Sequence, residues 1–113
     1  MPFSESQSPV EITKSLLRKS RHGALATLMP SSGDPYCSLV NVASAPGGQP
    51  ILLISKLARH TQNISRDPRV SVLLQEVAEG DPLEEARIMV SGRAVKHEGD
   101  TAAMLRARYL AVH

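Results

Sequence analysis

Cysteine is close to absent from this chain, aromatic side chains are few, and long apolar runs and a large surplus of either charge are missing. Cys37 is the single cysteine among 113 residues, so no intramolecular disulfide can form and no thiolate spacing for a zinc site exists. A reducing cytoplasm is the expected setting. Trp does not occur, and Phe3, Tyr36 and Tyr109 are the only aromatics, so Leu, Ile, Val, Ala and Met must build the core. A core of that kind is thin and gains from burial against a second subunit. Thirteen Lys and Arg stand against eleven Asp and Glu, a net charge of +2 without the dense basic stripe of a nucleic-acid binder. No run approaches the roughly twenty apolar residues of a membrane span. The opening MPFSESQSPVE has neither the basic nor the apolar region of a secretory signal. The length accommodates one domain around one modest core.

What is present reads as a series of short elements. Residues 1–8 are expected to be a flexible N-terminus and residues 9–113 a single domain. Ser8, Pro9 and Glu11 have the spacing of a capping box with proline at the first helical position. They predict a helix over about 9–21, with Ile12, Leu16 and Leu17 on its apolar stripe and Gly23 as its stop. Segments 24–29 and 35–45, divided by Pro30-Ser31-Ser32-Gly33-Asp34, predict a β-hairpin. Beyond a turn at 46–49, segment 51–55 is so apolar that a strand covered on both faces is expected. Arg59–Arg66 reads as a short helix ended by Asp67-Pro68. Strands at 70–75 and 87–97 flank an acidic loop, and Asp100 is placed to cap a closing helix through about Val112. Met104, Leu105, Tyr109 and Leu110 are that helix's expected apolar contacts. The order predicts a mainly β, α+β fold: an antiparallel sheet curled into a small barrel with flanking helices, its open edge covered by a partner subunit or a further strand.

The junction Ile51-Leu52-Leu53-Ile54-Ser55-Lys56-Leu57-Ala58-Arg59-His60 is the most informative stretch. An apolar segment there runs into a basic turn and then a helix start, where free N–H groups, the positive dipole end and the Arg59 fork favour an anion. By spacing alone, a solvated helix start accounts for Arg59 and His60 better than a ligand site does, and spacing names no ligand. The stretch ILLIS-KLARHTQNI followed by DPRVSVLL resembles the flavin-phosphate segment of the pyridoxamine 5'-phosphate oxidase-like FMN-binding split barrels. That resemblance implies Ser55 at a strand end and Arg59 with His60 as the basic pair on the ribityl phosphate. Histidine stands at 60 where the oxidases usually have lysine, which weakens a phosphate contact near neutral pH. Gly33-x-Pro35-x-x-Ser38-Leu39-Val40 is similar to a signature of the superfamily's haem-utilisation branch and implies that Ser38 lies along the flavin. An ordinary strand serine is the alternative. Arg87-Ile88-Met89-Val90-Ser91-Gly92 resembles another superfamily strand and puts Arg87 where the oxidases carry a flavin-contacting glutamine. Arg87 could equally pair with Glu84 or Glu85.

The resemblance covers about residues 9–113 and implies a homodimer holding FMN at the subunit interface, with flavin-dependent oxidoreduction of a small molecule as the activity. Related chains continue past residue 113, so this sequence is either a fragment or a natural short form. The C-terminal arginine and histidine with which the oxidases bind their vitamin substrate have no counterpart, which argues against vitamin B6 oxidation itself. The branch also implies a second reading, a haem-binding or haem-utilisation protein, with His22, His60 or His97 as conceivable iron ligands. A non-catalytic dimerisation module with a degenerate flavin site is the third. No spacing for a resident metal site and no nucleophile–base pattern is recognisable, and Cys37 reads as a small packed side chain.

Overall fold

Ser8 and Pro9 start the first helix of the computed structural model, which describes residues 7–113. The reading of a flexible N-terminus therefore falls mostly outside the described residues. Helix α1 spans Pro9–Lys19, and Ser8 Oγ accepts the Glu11 N–H at 3.2 Å, a cap worth about 1 kcal/mol. It ends at Ser20 and not at Gly23. Gly23 lies instead inside strand β1, His22–Leu28, where a Cβ would stand 2.7 Å from the Leu73 carbonyl oxygen. Close approach of two strands, and no helix stop, is what that glycine serves.

Strand β2, Pro35–Asn41, forms the expected hairpin with β1, and Gly33 turns the corner at φ 73°. The continuous strand expected over 35–45 is interrupted at Val42, whose N–H leaves the ladder for the Arg21 carbonyl at 2.8 Å. Beyond the break, β3 (Ala43–Ser44) pairs with β4 (Pro50–Ile51) in a separate two-stranded sheet. The expected strand at 51–55 is thereby cut short. With two residues of β3 to pair with, the backbone from Leu52 onward has no ladder partner, and Leu53 is 42% exposed where both faces were expected to be covered.

Helix α2 occupies Arg59–Arg66, as read from the sequence. Strands β5 (Arg69–Gln75) and β6 (Arg87–Arg93) then complete a four-stranded antiparallel sheet of order β2-β1-β5-β6. Strand β6 stops before the expected 97 because β5 begins at Arg69; Ala94 makes one further bond, to Pro68, and the partner strand is used up. Helix α3, Gly99–Val112, begins at Glu98 without a side-chain cap, and Asp100 sits inside its first turn, not at the cap position. There its charge still favours the helix dipole. Of the contacts expected from α3, Leu105 and Tyr109 are half-buried, while Met104 and Leu110 stay 43% and 54% exposed.

One face of the sheet carries the core. Leu25, Val40, Val42, Val72 and Leu74 form its centre, with Leu17, Leu52, Ile64, Val70 and Ile88 packed around them. Each such aliphatic side chain, fully buried, contributes about 1.5–3 kcal/mol of transfer free energy. The opposite face is different. Period-two alternation places Leu39, Ala24, Leu73 and Met89 in one row across all four strands, and Leu39, Leu73 and Met89 are 78%, 41% and 68% exposed. The architecture is α+β, an antiparallel sheet with flanking helices of the split-barrel type.

Candidate functional site

Helix α2 has one apolar side chain that reaches the core, Ile64, and one buried residue, Asn63. Directional polar contacts must therefore supplement packing in holding it. Its first turn is tied to β2: Ser38 Oγ and His60 Nδ1 share a hydrogen bond of 3.3 Å. Thr61 donates its hydroxyl hydrogen to the Ser55 carbonyl, and the Ser55 hydroxyl accepts the Leu57 N–H at 3.2 Å, which shapes the turn leading into the helix. One turn further along α2, Asn63 Nδ2 donates to Thr27 Oγ1 at 3.0 Å and to Met29 Sδ at 3.6 Å. Thr27 in turn donates to the Tyr36 carbonyl. After the helix, the Asp67 carboxylate takes the Arg69 guanidinium at 2.7 Å, and this hydrogen bond pulls the acid down to a pKa of about 2.

Ser38, Ser55, Arg59 and His60 are thus gathered around the start of α2. Arg59 is exposed and has no hydrogen-bond or ion-pair partner among the described residues. With no side-chain cap at Ala58, the first N–H groups of α2 are open beside it. His60 is turned the other way. It is half-buried, and its Nε2 is buried without a hydrogen-bond partner among the described residues. Ser38 shares the core face with Leu25, Val72 and Val90, whereas an ordinary strand serine would be expected on the wet face.

Arg87 is not brought to this group. It lies on the other edge strand and the other face, separated from β2 by about 14 Å of strand spacing alone. Its guanidinium donates to the carbonyls of Leu83, at 2.8 Å, and Glu85, at 3.3 Å, in place of the ion pair with Glu84 or Glu85 weighed from the sequence. Sequence reasoning missed Asn63 and Thr27. The signal for them was indirect: a helix with so little apolar character needs a polar anchor.

Two shallow depressions mark the surface. One of about 360 Å³ runs beside the apolar row and is lined by Ala26, Arg69, Ser71, Ser91 and Gly92 among others. The other, about 240 Å³, sits between α1, β3 and α3, where Arg18 and Arg108 both donate to carbonyls of residues 44–46. Neither is lined by Ser38, Ser55, Arg59, His60 or Arg87. No group of three or more His, Cys, Asp or Glu side chains among the described residues could hold a metal ion. No helix among them is long and apolar enough to cross a membrane.

Comparison with known proteins adds chemistry to this geometry. A family model described as pyridoxamine 5'-phosphate oxidase matches residues 10–113. A non-canonical heme oxygenase of Arabidopsis thaliana chloroplasts is 36% identical over 109 residues, which is 94% of this chain and 33% of that protein. The solved structure of a heme binding protein from Mycobacterium smegmatis is 36% identical with a TM-score of 0.85, covering 97% of this chain and 45% of the other. A protein of unknown function from Agrobacterium tumefaciens superposes at TM-score 0.86 with 35% identity, over 96% of this chain and 47% of its own. The chain therefore spans a third to a half of the length of these relatives.

Proposed function

The chain belongs to the pyridoxamine 5'-phosphate oxidase family, and on that premise we propose that this domain binds haem as a homodimer and serves haem utilisation. The observation that carries the reading is the apolar row Leu39, Ala24, Leu73 and Met89 on the sheet face turned away from the core. An exposed apolar strip of this kind suits a planar ligand or a second subunit. Beside it Ala26, Ser71 and Ser91 leave a depression that a flat macrocycle can enter. On the same face stand His22 and Arg87, at the row's other side. The chemistry of these residues fits the group: Leu39, Leu73 and Met89 would meet its apolar surface, Arg87 would hold a carboxylate, and His22, on the same face, would be the iron ligand. His60 is half-buried on the other face, with its Nδ1 bonded to Ser38 and its Nε2 turned inward. Haem, when bound, supplies redox and oxygen chemistry. This chain's own residues bind and orient it, and the apolar row excludes water from one side.

Because Arg87 and the start of α2 lie on opposite faces and edges of the sheet, one ligand can meet both only where two copies of the chain face each other. A homodimer would meet that condition, and the exposed row supports it. A second reading, FMN in the same shared groove, is favoured by the free Arg59 beside the open N–H groups of α2, a setting for a phosphate.

Titration of the purified protein with hemin and, separately, with FMN tests both. The haem reading expects a Soret band that saturates at one hemin per chain or per dimer and is lost in Met89→Glu. The flavin reading expects quenching of FMN fluorescence. A protein that takes up neither, or that sediments as a monomer while binding both, sinks the proposal.

A further inference from the structure

We infer that Asn63, through Thr27, is a positioning residue: it sets the rotation of α2 about its own axis and so fixes where Arg59 and His60 stand. The ligand half of this statement rests on the proposed site, and the geometric half does not.

The helix sequence RHTQNISR gives α2 a polar surface broken by Ile64 alone. An apolar side chain can slide or roll in its socket at little cost, whereas a hydrogen bond has a preferred direction. Asn63 is 0% exposed, and its Nδ2 reaches the Thr27 hydroxyl from the interior. Thr27 is itself 2% exposed and held by its own bond to the Tyr36 carbonyl. The amide thus engages a hydroxyl that the hairpin has already oriented. His60 lies three positions earlier, on a neighbouring part of the helix surface, and makes the second polar rung, to Ser38. Two rungs one turn apart define both the axis and the rotation of the helix.

The leverage is large. Side chains extend about 5–6 Å from a helix axis, so a roll of about 30° would carry the Arg59 and His60 groups roughly 3 Å. That is enough to break the His60–Ser38 bond and to move Arg59 out of hydrogen-bond reach of any anion it holds. Burying an amide where an aliphatic chain would fit costs free energy unless its bonds are made. The Oδ1 of Asn63, buried without a hydrogen-bond partner among the described residues, sharpens that cost. A residue kept for packing alone would not carry it.

Thr27→Val removes the acceptor while keeping shape, and Thr27→Ser keeps the hydroxyl. The readout is the His60 ring resonances in ligand-free protein, recorded by NMR, together with hemin and FMN titrations. Positioning predicts that Thr27→Val shifts the His60 signals and weakens whichever ligand binds by tenfold or more. Thr27→Ser should restore both, with the circular dichroism of each variant native. Unchanged His60 signals in Thr27→Val, or the same change in Thr27→Ser, overturns the inference. If Thr27→Val fails to fold, Asn63→Leu, which keeps a similar volume and removes the amide without burying a charge, serves the same comparison. Should the parent protein bind neither hemin nor FMN, the proposed function falls, and the His60 resonances still decide this inference.

Discussion

Adding one methyl group at Gly23 should cost this fold more than at any neighbouring strand position. An ideal Cβ there would sit 2.7 Å from the Leu73 carbonyl oxygen, 2.9 Å from Leu74 Cδ2 and 3.2 Å from Val72 Cγ1. The first of these is backbone in β5, which is bonded to β1 on one side and β6 on the other. It cannot retreat without stretching a ladder, while the leucine lies in the closed core. Overpacking of this kind costs about 1–3 kcal/mol. At roughly 4–8 °C per kcal/mol for a domain near this size, Gly23→Ala should melt at least about 4 °C below the parent. Gly92→Ala is the internal control: its Cβ meets nothing within 4 Å and its φ is not positive, so a change within about 0.5 kcal/mol is expected. Thermal melts and urea unfolding followed by circular dichroism, with the urea slopes compared as well as the midpoints, measure both variants. Equal midpoints for the two variants would refute the argument that strand proximity dictates glycine at 23.

Arg59→Ala should weaken FMN binding roughly 10- to 150-fold, the equivalent of one charge-assisted hydrogen bond of about 1.5–3 kcal/mol. Lys56→Ala, on the exposed turn before α2, should have a small effect, and equal losses by fluorescence titration would contradict the assignment of Arg59. Asp67, held at a pKa of about 2 by the Arg69 guanidinium against an ordinary value of 3.8, contributes stability that is complete above about pH 4 and lost as pH falls toward 2. The effect is small for a solvent-facing pair. Asp67→Asn should remove that part of the acid limb in a thermal-melt series, and an unchanged limb would show the pair contributes nothing.

Where a local signal has a local cause, the sequence is readable. Ser8, Pro9 and Glu11 place the start of α1, Pro30–Asp34 places the first hairpin, and Arg59–Arg66 emerges at both ends as expected. Misreadings arise where a long-range partner decides. Residues 51–55 have strand composition throughout, yet β4 ends at Ile51 because β3 offers two residues and Val42 has turned to Arg21. Gly23 looked like a helix stop because the strand that crowds it lies in the other half of the sequence. Of the site, the residues around the start of α2 were legible as a basic turn before a helix. The inward set of His60 and the Asn63–Thr27 bond were not, since both depend on which hairpin face α2 lies across.

The strand order has a kinetic side. β1 and β2 form one hairpin and β5 and β6 another, while the seam between them, β1 against β5, joins segments from opposite halves of the chain. Local hairpins close short loops, and the seam must close a long one. Ser38 belongs to the first hairpin and His60 to the connection, so their bond ties that connection back onto the hairpin. A molecule captured there would act as a clasp on the finished fold, raising its resistance to unfolding with the logarithm of the free ligand concentration above its dissociation constant and making thermal protection a ready assay for ligands.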